Sequence, residues 1–251
     1  MSAGRWLQGY GAPRPGAVRL VCLPHAGGAA GYFHPLAREL AADFDVVGGQ
    51  YPGRQERYRE PLLRSIAGLA DGVFAAWAAE PRPTVLFGHS LGAVVAFETA
   101  LRMERAGATD LLGVIVSGRR APSVPRTDAI HRRDDQGIVR EIRELSGTRA
   151  AVFDDPDLLA MVLPVLRADY QAVETYRAAP ADRLRAPVAV LIGDADPRVP
   201  VAEADRWRTH TDGPTALRVL PGGHFYLDNQ HDRVAAAIRD SVHEFRSQVP
   251  A

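Results

Sequence analysis

Ser90 stands with Gly88 and Gly92 two residues to either side, where the apolar run "TVLFGH" (84–89) gives way to the helical pattern "LGAVVAFETALRMERAG" (91–107). A serine hydroxyl becomes a useful nucleophile only when it is exposed beside a base and beside backbone N–H groups that hold an oxyanion. A sharp strand-to-helix turn provides this exposure, and it brings strand and helix so close that side chains at the flanking positions would collide. Glycine at 88 and 92 removes the collision. The helix opening at Leu91 points its partly positive N-terminus at the place where negative charge would develop. Alone, G-x-S-x-G is a weak signal because glycine and serine are common. Set between a strand and a helix, it predicts acyl-transfer chemistry.

Such a serine needs a histidine base and an acid to orient it, in the chain order serine, acid, histidine. Of eight histidines, only His224, in "VLPGGHFYLD" (219–228), follows a late strand through a glycine-rich turn and precedes the last helix. His89 ends the strand with its side chain directed away from Ser90, where it packs or bonds locally. His34, His131, His210, His231 and His243 lie in polar or helical surroundings and are read as solvated. The acid is expected in "GDADPRVP" (193–200), where Asp194 and Asp196 compete. Asp194 at the strand end is placed to bond its own turn, so Asp196, ahead of Pro197, is preferred; Asp169 is a remote third. The two oxyanion donors are expected to be the amides of Leu91 and of Ala26, the latter in "LPHAGGAAGYF" (23–33). The plain alternative for that glycine-rich segment is a flexible loop. No histidine pair has metal-ligand spacing, so neither a metal nor another cofactor is expected.

These residues need a scaffold. Near-continuous apolar runs recur at 18–24, 44–52, 84–89, 111–118, 188–194 and 216–222, as parallel strands covered on both faces require. Helical patterns alternate with them at 33–42, 65–80, 91–107, 201–210 and 233–248. The alternation predicts a mostly parallel, doubly wound α/β sheet with right-handed crossovers. Between Gly118 and Val188 the chain runs for about 70 residues, far beyond an ordinary connection. That stretch holds helical patterns at 135–145 and 154–176, the second with Asp154 or Asp155 as cap, Pro156 in its first turn and Pro164 as a kink. A helical cap over about 119–185, inserted in one domain spanning 1–251, is expected in preference to a second domain.

Composition narrows the classes. At 251 residues, 46% of them hydrophobic, the chain can bury a substantial core. Zero formal net charge gives no support to a nucleic-acid or membrane-surface binder. The single cysteine, Cys22, excludes an internal disulfide and is read as a small buried apolar residue. No apolar run reaches membrane-spanning length and the start lacks a basic-then-apolar signal, so a cytoplasmic protein is the expectation. All 30 basic residues are arginine, which together with abundant Ala, Gly and Pro reflects GC-rich codon usage.

Taken together, "PHAGGAAGYF", "YPGRQERYREP", "GHSLGA", "GDADPRV" and "LPGGHFYL" resemble the type II thioesterases that accompany modular polyketide and nonribosomal peptide synthetases, over about residues 18 to 245. The resemblance implies an α/β-hydrolase fold with a helical lid. It also implies removal of stalled acyl groups from the phosphopantetheine arm of an acyl or peptidyl carrier protein. Carried onto this sequence it gives Ser90, Asp196 and His224 as the triad, with Ala26 and Leu91 at the oxyanion hole. Other readings of the same residues are a carboxylesterase or lipase, a medium-chain fatty acyl thioesterase, or an inactive fold used as a binding module. In the insertion, Leu158, Leu159, Val162, Leu163, Leu166 and Tyr170 recur at helical spacing, and either roof an acyl pocket or pack the insertion onto the sheet. Arg119, Arg120, Arg126, Arg132 and Arg133 either receive an acidic carrier protein or form an ordinary solvated face.

Overall fold

The computed structural model describes residues 5–124, 128–146 and 155–247. Seven strands form one sheet: β1 (Leu7–Gly9), β2 (Arg19–Leu23), β3 (Asp45–Gly49), β4 (Thr84–His89), β5 (Leu111–Ser117), β6 (Val188–Gly193) and β7 (Thr215–Leu220). Their spatial order is β1-β3-β2-β4-β5-β6-β7. All neighbours are parallel except β1, which pairs antiparallel with β3. Six of the strands follow the apolar runs. β1 has no such run, because three residues at a sheet edge carry no periodic signal.

Why these strands read as continuous apolar runs is visible in the packing. Along β4, Leu86 joins the core under α2 (Ile66–Ala78) and α3 (Leu91–Arg105), while Val85 and Phe87 face the opposite core. That second core is closed by α1 (His34–Leu40) and α7 (His231–Ser247). β5 and β6 divide in the same way, with Val114, Val116, Val190 and Ile192 on one side and Ile115, Ala189 and Leu191 on the other. In β4, β5 and β6 both faces are covered, so both sets must be apolar; β7, at the sheet edge, departs from the expectation, with Leu217 and Val219 exposed.

β2 connects to β3 on one side of the sheet, whereas from β4 onward the strands are added on the other. The winding therefore reverses between β2 and β4. In open α/β sheets the crevice at the carboxyl ends of such strands is where ligands bind.

The β5–β6 connection contains a 3-10 turn (Ile130–Arg132), α4 (Asp135–Ser146) and α5 (Pro156–Thr175). Asp155 caps α5, its Oδ1 accepting from the amides of Asp157 at 2.9 Å and Leu158 at 3.3 Å; Asp154 lies outside the described residues. Ile130, Ile138 and Ile142 meet Leu163, Leu166 and Tyr170 in a small cluster of their own. Farther along α5, Ala172 and Val173 join the main core beneath α3. The helix expected at 201–210 is shorter: α6 covers Val201–Asp205 and tightens to a 3-10 turn over Arg206–His210. There the buried Trp207 donates its indole N–H to the Arg119 carbonyl at 2.8 Å.

Candidate active site

Ser90 occupies the turn between β4 and α3 with φ 54° and ψ −110°, a region side chains rarely adopt. A Cβ on Gly88 would lie 2.0 Å from the Gly92 carbonyl oxygen, and a Cβ on Gly92 would lie 2.0 Å from that of Leu23. Strand, helix and the neighbouring β2 thus meet backbone to backbone. The turn is pinned from β5, where the Ser117 carbonyl accepts the Ser90 amide at 2.8 Å. The Ser117 hydroxyl also holds His89 Nδ1 at 2.9 Å and the Tyr226 hydroxyl at 2.6 Å. His89 is accordingly buried and bonded to β5, with no hydrogen bond to Ser90.

The two aspartates of the β6 loop have separate tasks. Asp194 Oδ1 accepts the Gly222 amide at 2.8 Å, stitching this loop to the glycine turn that carries His224. Asp196 Oδ2 lies 2.8 Å from His224 Nδ1. Its other oxygen accepts the amides of Arg198 at 2.8 Å and Val199 at 3.2 Å. Neither the Asp196 carboxylate nor the imidazole has appreciable solvent access, with side chains 0% and 5% exposed. An acceptor at Nδ1 keeps the ring proton there and leaves Nε2 with its lone pair. Ser90 and His224 line one cavity without a hydrogen bond between them; in ligand-free enzymes such contacts often tighten only around substrate.

That cavity, of about 310 Å³, is also lined by Ala26 and Leu91. Leu91 opens α3, so its amide has no partner within the helix. The Ala26 amide has no acceptor among the described residues. Val162, Leu166, Tyr170 and Val173 of α5 form the opposite wall, with Ile142 and Leu145 of α4. The apolar stripe of α5 therefore divides: Val162, Leu166 and Tyr170 line the cavity, Leu159 and Leu163 pack within the insertion, and Leu158 is largely exposed.

Three imidazoles crowd this end of the sheet. The His25 ring packs edge-on against Tyr32 and Phe225 with centroids 4.5 and 4.8 Å away, and His89 lies 5.2 Å from His224. Burial, then the neighbouring His224 and Arg54, pushes His25 down to about 3. Burial likewise holds His89 well below the usual histidine range.

Some expectations need correction. His210 is buried, not solvated: it bonds the Ser123 hydroxyl at 2.9 Å and packs against Phe97 and Trp207, and burial lowers its proton affinity. His131 is half-buried on Glu174, 2.5 Å away. Asp169 is no rival to Asp196; it is buried against Arg54 and the Gly27 amide. Among the arginines offered to a partner, Arg120 pairs with Glu203 and Arg133 with Glu141, while Arg119 lines the cavity. Arg132 is exposed, and Arg126 lies outside the described residues. Sequence reading missed Gln50 and Arg54, which bond the 25–30 loop; their signal was the polar motif beginning at Tyr51, directly after Gln50.

The model of a "Thioesterase domain" matches residues 18–242. The chain belongs to this thioesterase family. It is 46% identical over 245 residues to "Thioesterase PikA5" of Streptomyces venezuelae, covering 96% of this chain and 87% of that one. It is 48% identical over 247 residues to the "Probable cadicidin biosynthesis thioesterase" of Streptomyces griseus, covering 98% and 68%. The structure of the type II thioesterase BorB from the borrelidin biosynthetic cluster superposes with a TM-score of 0.87 at 46% identity, covering 94% and 97%. The protein is thus an α/β-hydrolase of the type II thioesterase class, an enzyme that hydrolyses thioesters. Among the described residues of the thioesterase, no helix is long and apolar enough to cross a membrane.

Two outcomes follow for stability. The backbone at Ser90 is strained for any residue with a Cβ, so Ser90→Gly will be more stable than Ser90→Ala by about 1 kcal/mol in urea unfolding. Between the ordinary histidine value of 6.5 and about 3, His25 takes a proton in the unfolded chain but not in the folded one. Stability must therefore fall as pH drops through that window. Urea midpoints measured across it will fall less steeply in His25→Phe than in the parent; equal slopes would refute the assignment.

Proposed function

We propose that this thioesterase cleaves acyl thioesters through a covalent acyl-enzyme on Ser90, with His224 as base, Asp196 as its orienting acid, and the Ala26 and Leu91 amides as oxyanion donors. The observation that carries this reading is the 2.8 Å contact of Asp196 with His224 Nδ1, His224 lining the cavity that Ser90, Ala26 and Leu91 also line. His224 Nε2 takes the Ser90 proton as the oxygen attacks the thioester carbonyl. The amides of Ala26 and Leu91 hold the resulting oxyanion, and the start of α3 adds its dipole. Collapse expels the thiolate, which takes the proton from His224 as it leaves and so restores the imidazole as a base. Water then gives up a proton to His224 and attacks the acyl carbonyl, and His224 returns that proton to the Ser90 oxygen as the acyl C–O bond breaks and the free acid leaves.

The substrate is an acyl group on the phosphopantetheine arm of an acyl or peptidyl carrier protein, the thioester that polyketide and nonribosomal peptide assembly keeps in hand. Relatives named for cadicidin and borrelidin biosynthesis support this choice. In this reading residues 119–185 act as a helical lid within one hydrolase domain. The apolar wall from α4 and α5 would accommodate the acyl chain, while the enzyme needs no metal or cofactor for either half-reaction.

Kinetics on an acyl-pantetheine thioester and its matched oxygen ester test the proposal. Ser90→Ala will lose turnover by at least about a thousandfold, and Asp196→Asn by on the order of a thousandfold or more, with both variants folded. The thioester will be the better substrate; preference for the oxygen ester would make the protein an esterase, and full turnover by Ser90→Ala would end the proposal.

A further inference from the structure

We infer that the buried Arg54–Asp169 ion pair is a positioning device through which α5 sets the oxyanion loop, and with it the Ala26 amide. The inference rests on the role proposed above for Ala26. Asp169, on α5, is fully buried; its Oδ2 accepts the Gly27 amide at 2.8 Å across 142 positions of sequence. Arg54 grips the same carboxylate in a two-point fork, at 3.0 Å to Oδ2 and 2.9 Å to Oδ1. Its guanidinium also donates to the Gly28 carbonyl at 3.1 Å. Gln50 extends the clasp, accepting the Ala30 amide at 2.7 Å and donating to the Arg54 carbonyl at 3.3 Å. The loop closes on itself where the Gly28 amide meets the His25 carbonyl at 2.9 Å. The amides of Gly27, Gly28 and Ala30 are therefore all occupied, whereas that of Ala26, which lines the cavity, has no acceptor among the described residues.

There is no slack in the arrangement. Gly27 has φ +77°, and a Cβ there would lie 2.6 Å from a methyl of Leu166, on the same helix as Asp169. The helix that walls the acyl cavity thus also fixes the next peptide after Ala26.

Stability alone does not account for the pair. Burying two charges is costly, and an apolar pair of similar volume in their place is often neutral or stabilising. An apolar pair cannot bond the Gly27 amide and Gly28 carbonyl. This difference separates a positioning role from a merely structural one.

The test uses the double variant Arg54→Met with Asp169→Leu, and the single Asp169→Asn, which keeps one oxygen for the Gly27 amide. Each is assayed on an acyl-pantetheine thioester and titrated with a trifluoromethyl ketone analogue, whose adduct with Ser90 carries the oxyanion. The double variant will keep its melting temperature and lose kcat by about a hundredfold, with KM within about twofold. Ketone affinity will fall by the same factor as kcat, and Asp169→Asn will lie between parent and double variant in both. A folded double variant with parental kcat overturns the inference, as does a kcat loss that spares ketone affinity. Failure of both variants to fold also overturns it, making the pair a stability element. Parent protein without Ser90-dependent turnover would instead refute the proposed function, and is distinguished before any variant is measured.

Discussion

At the carboxyl edge of the sheet, three stretches of backbone approach too closely to admit a single extra carbon. Gly88 faces the Gly92 carbonyl, and Gly92 faces the Leu23 carbonyl, each at 2.0 Å from where a Cβ would lie. This compression forces Ser90 into its unusual backbone geometry and places the Leu91 amide at the opening of α3. It also brings the loop after β2 alongside the loop after β4. Because the sheet reverses its winding between these two strands, their following segments diverge and leave a crevice. One oxyanion donor can then come from each bank. Strain of this kind, of order 1–3 kcal/mol, persists only where surrounding structure over-determines it, and here β5 supplies the restraint through Ser117.

The histidine environment obeys an equally simple constraint. His25 and His89 are held uncharged by burial and by the proximity of His224. A low-dielectric pocket with three imidazoles can accept one positive charge far more readily than two. Among the described residues, the one carboxylate bonded to an imidazole of this cluster, Asp196, bonds His224. In the mechanism proposed above, a proton leaving Ser90 therefore has one favourable destination.

Much of this was legible in the sequence because the controlling features are local. Apolar runs specified six strands, the flanking glycines specified the serine turn, and the loop position separated Asp196 from Asp194. Features that depend on distant partners were not legible. Arg54 and Asp169 are 115 positions apart, and neither residue type signals burial on its own. His210 reads as polar surface until Phe97 and Trp207 fold around it. β1 is too short to show a period, and the arginines that looked available to a partner are mostly bonded to carboxylates of their own chain or turned into the cavity.

The two helices that wall the cavity are attached by different means. α5 is anchored by a buried ion pair and by Ala172 and Val173 in the main core. α4 is held mainly through α5, by Ile138 and Ile142 packing on Leu163 and Leu166. Ion pairs also tie it down: Asp135 with Arg167 of α5, Glu141 with Arg133, and Arg198 with Glu141 and, at 3.0 Å, Glu144. Glu144 is 67% exposed, so water and salt screen that contact, though Glu141 is buried. Displacing α5 would uncover Ala172 and Val173 in the main core and break the Arg54–Asp169 pair, whereas displacing α4 would uncover Ile138 and Ile142 in the smaller cluster and break the pairs of Glu141. Of the cavity wall, Leu166 and Tyr170 therefore belong to the helix that bonds the loop carrying Ala26, and Ile142 and Leu145 to the helix that does not.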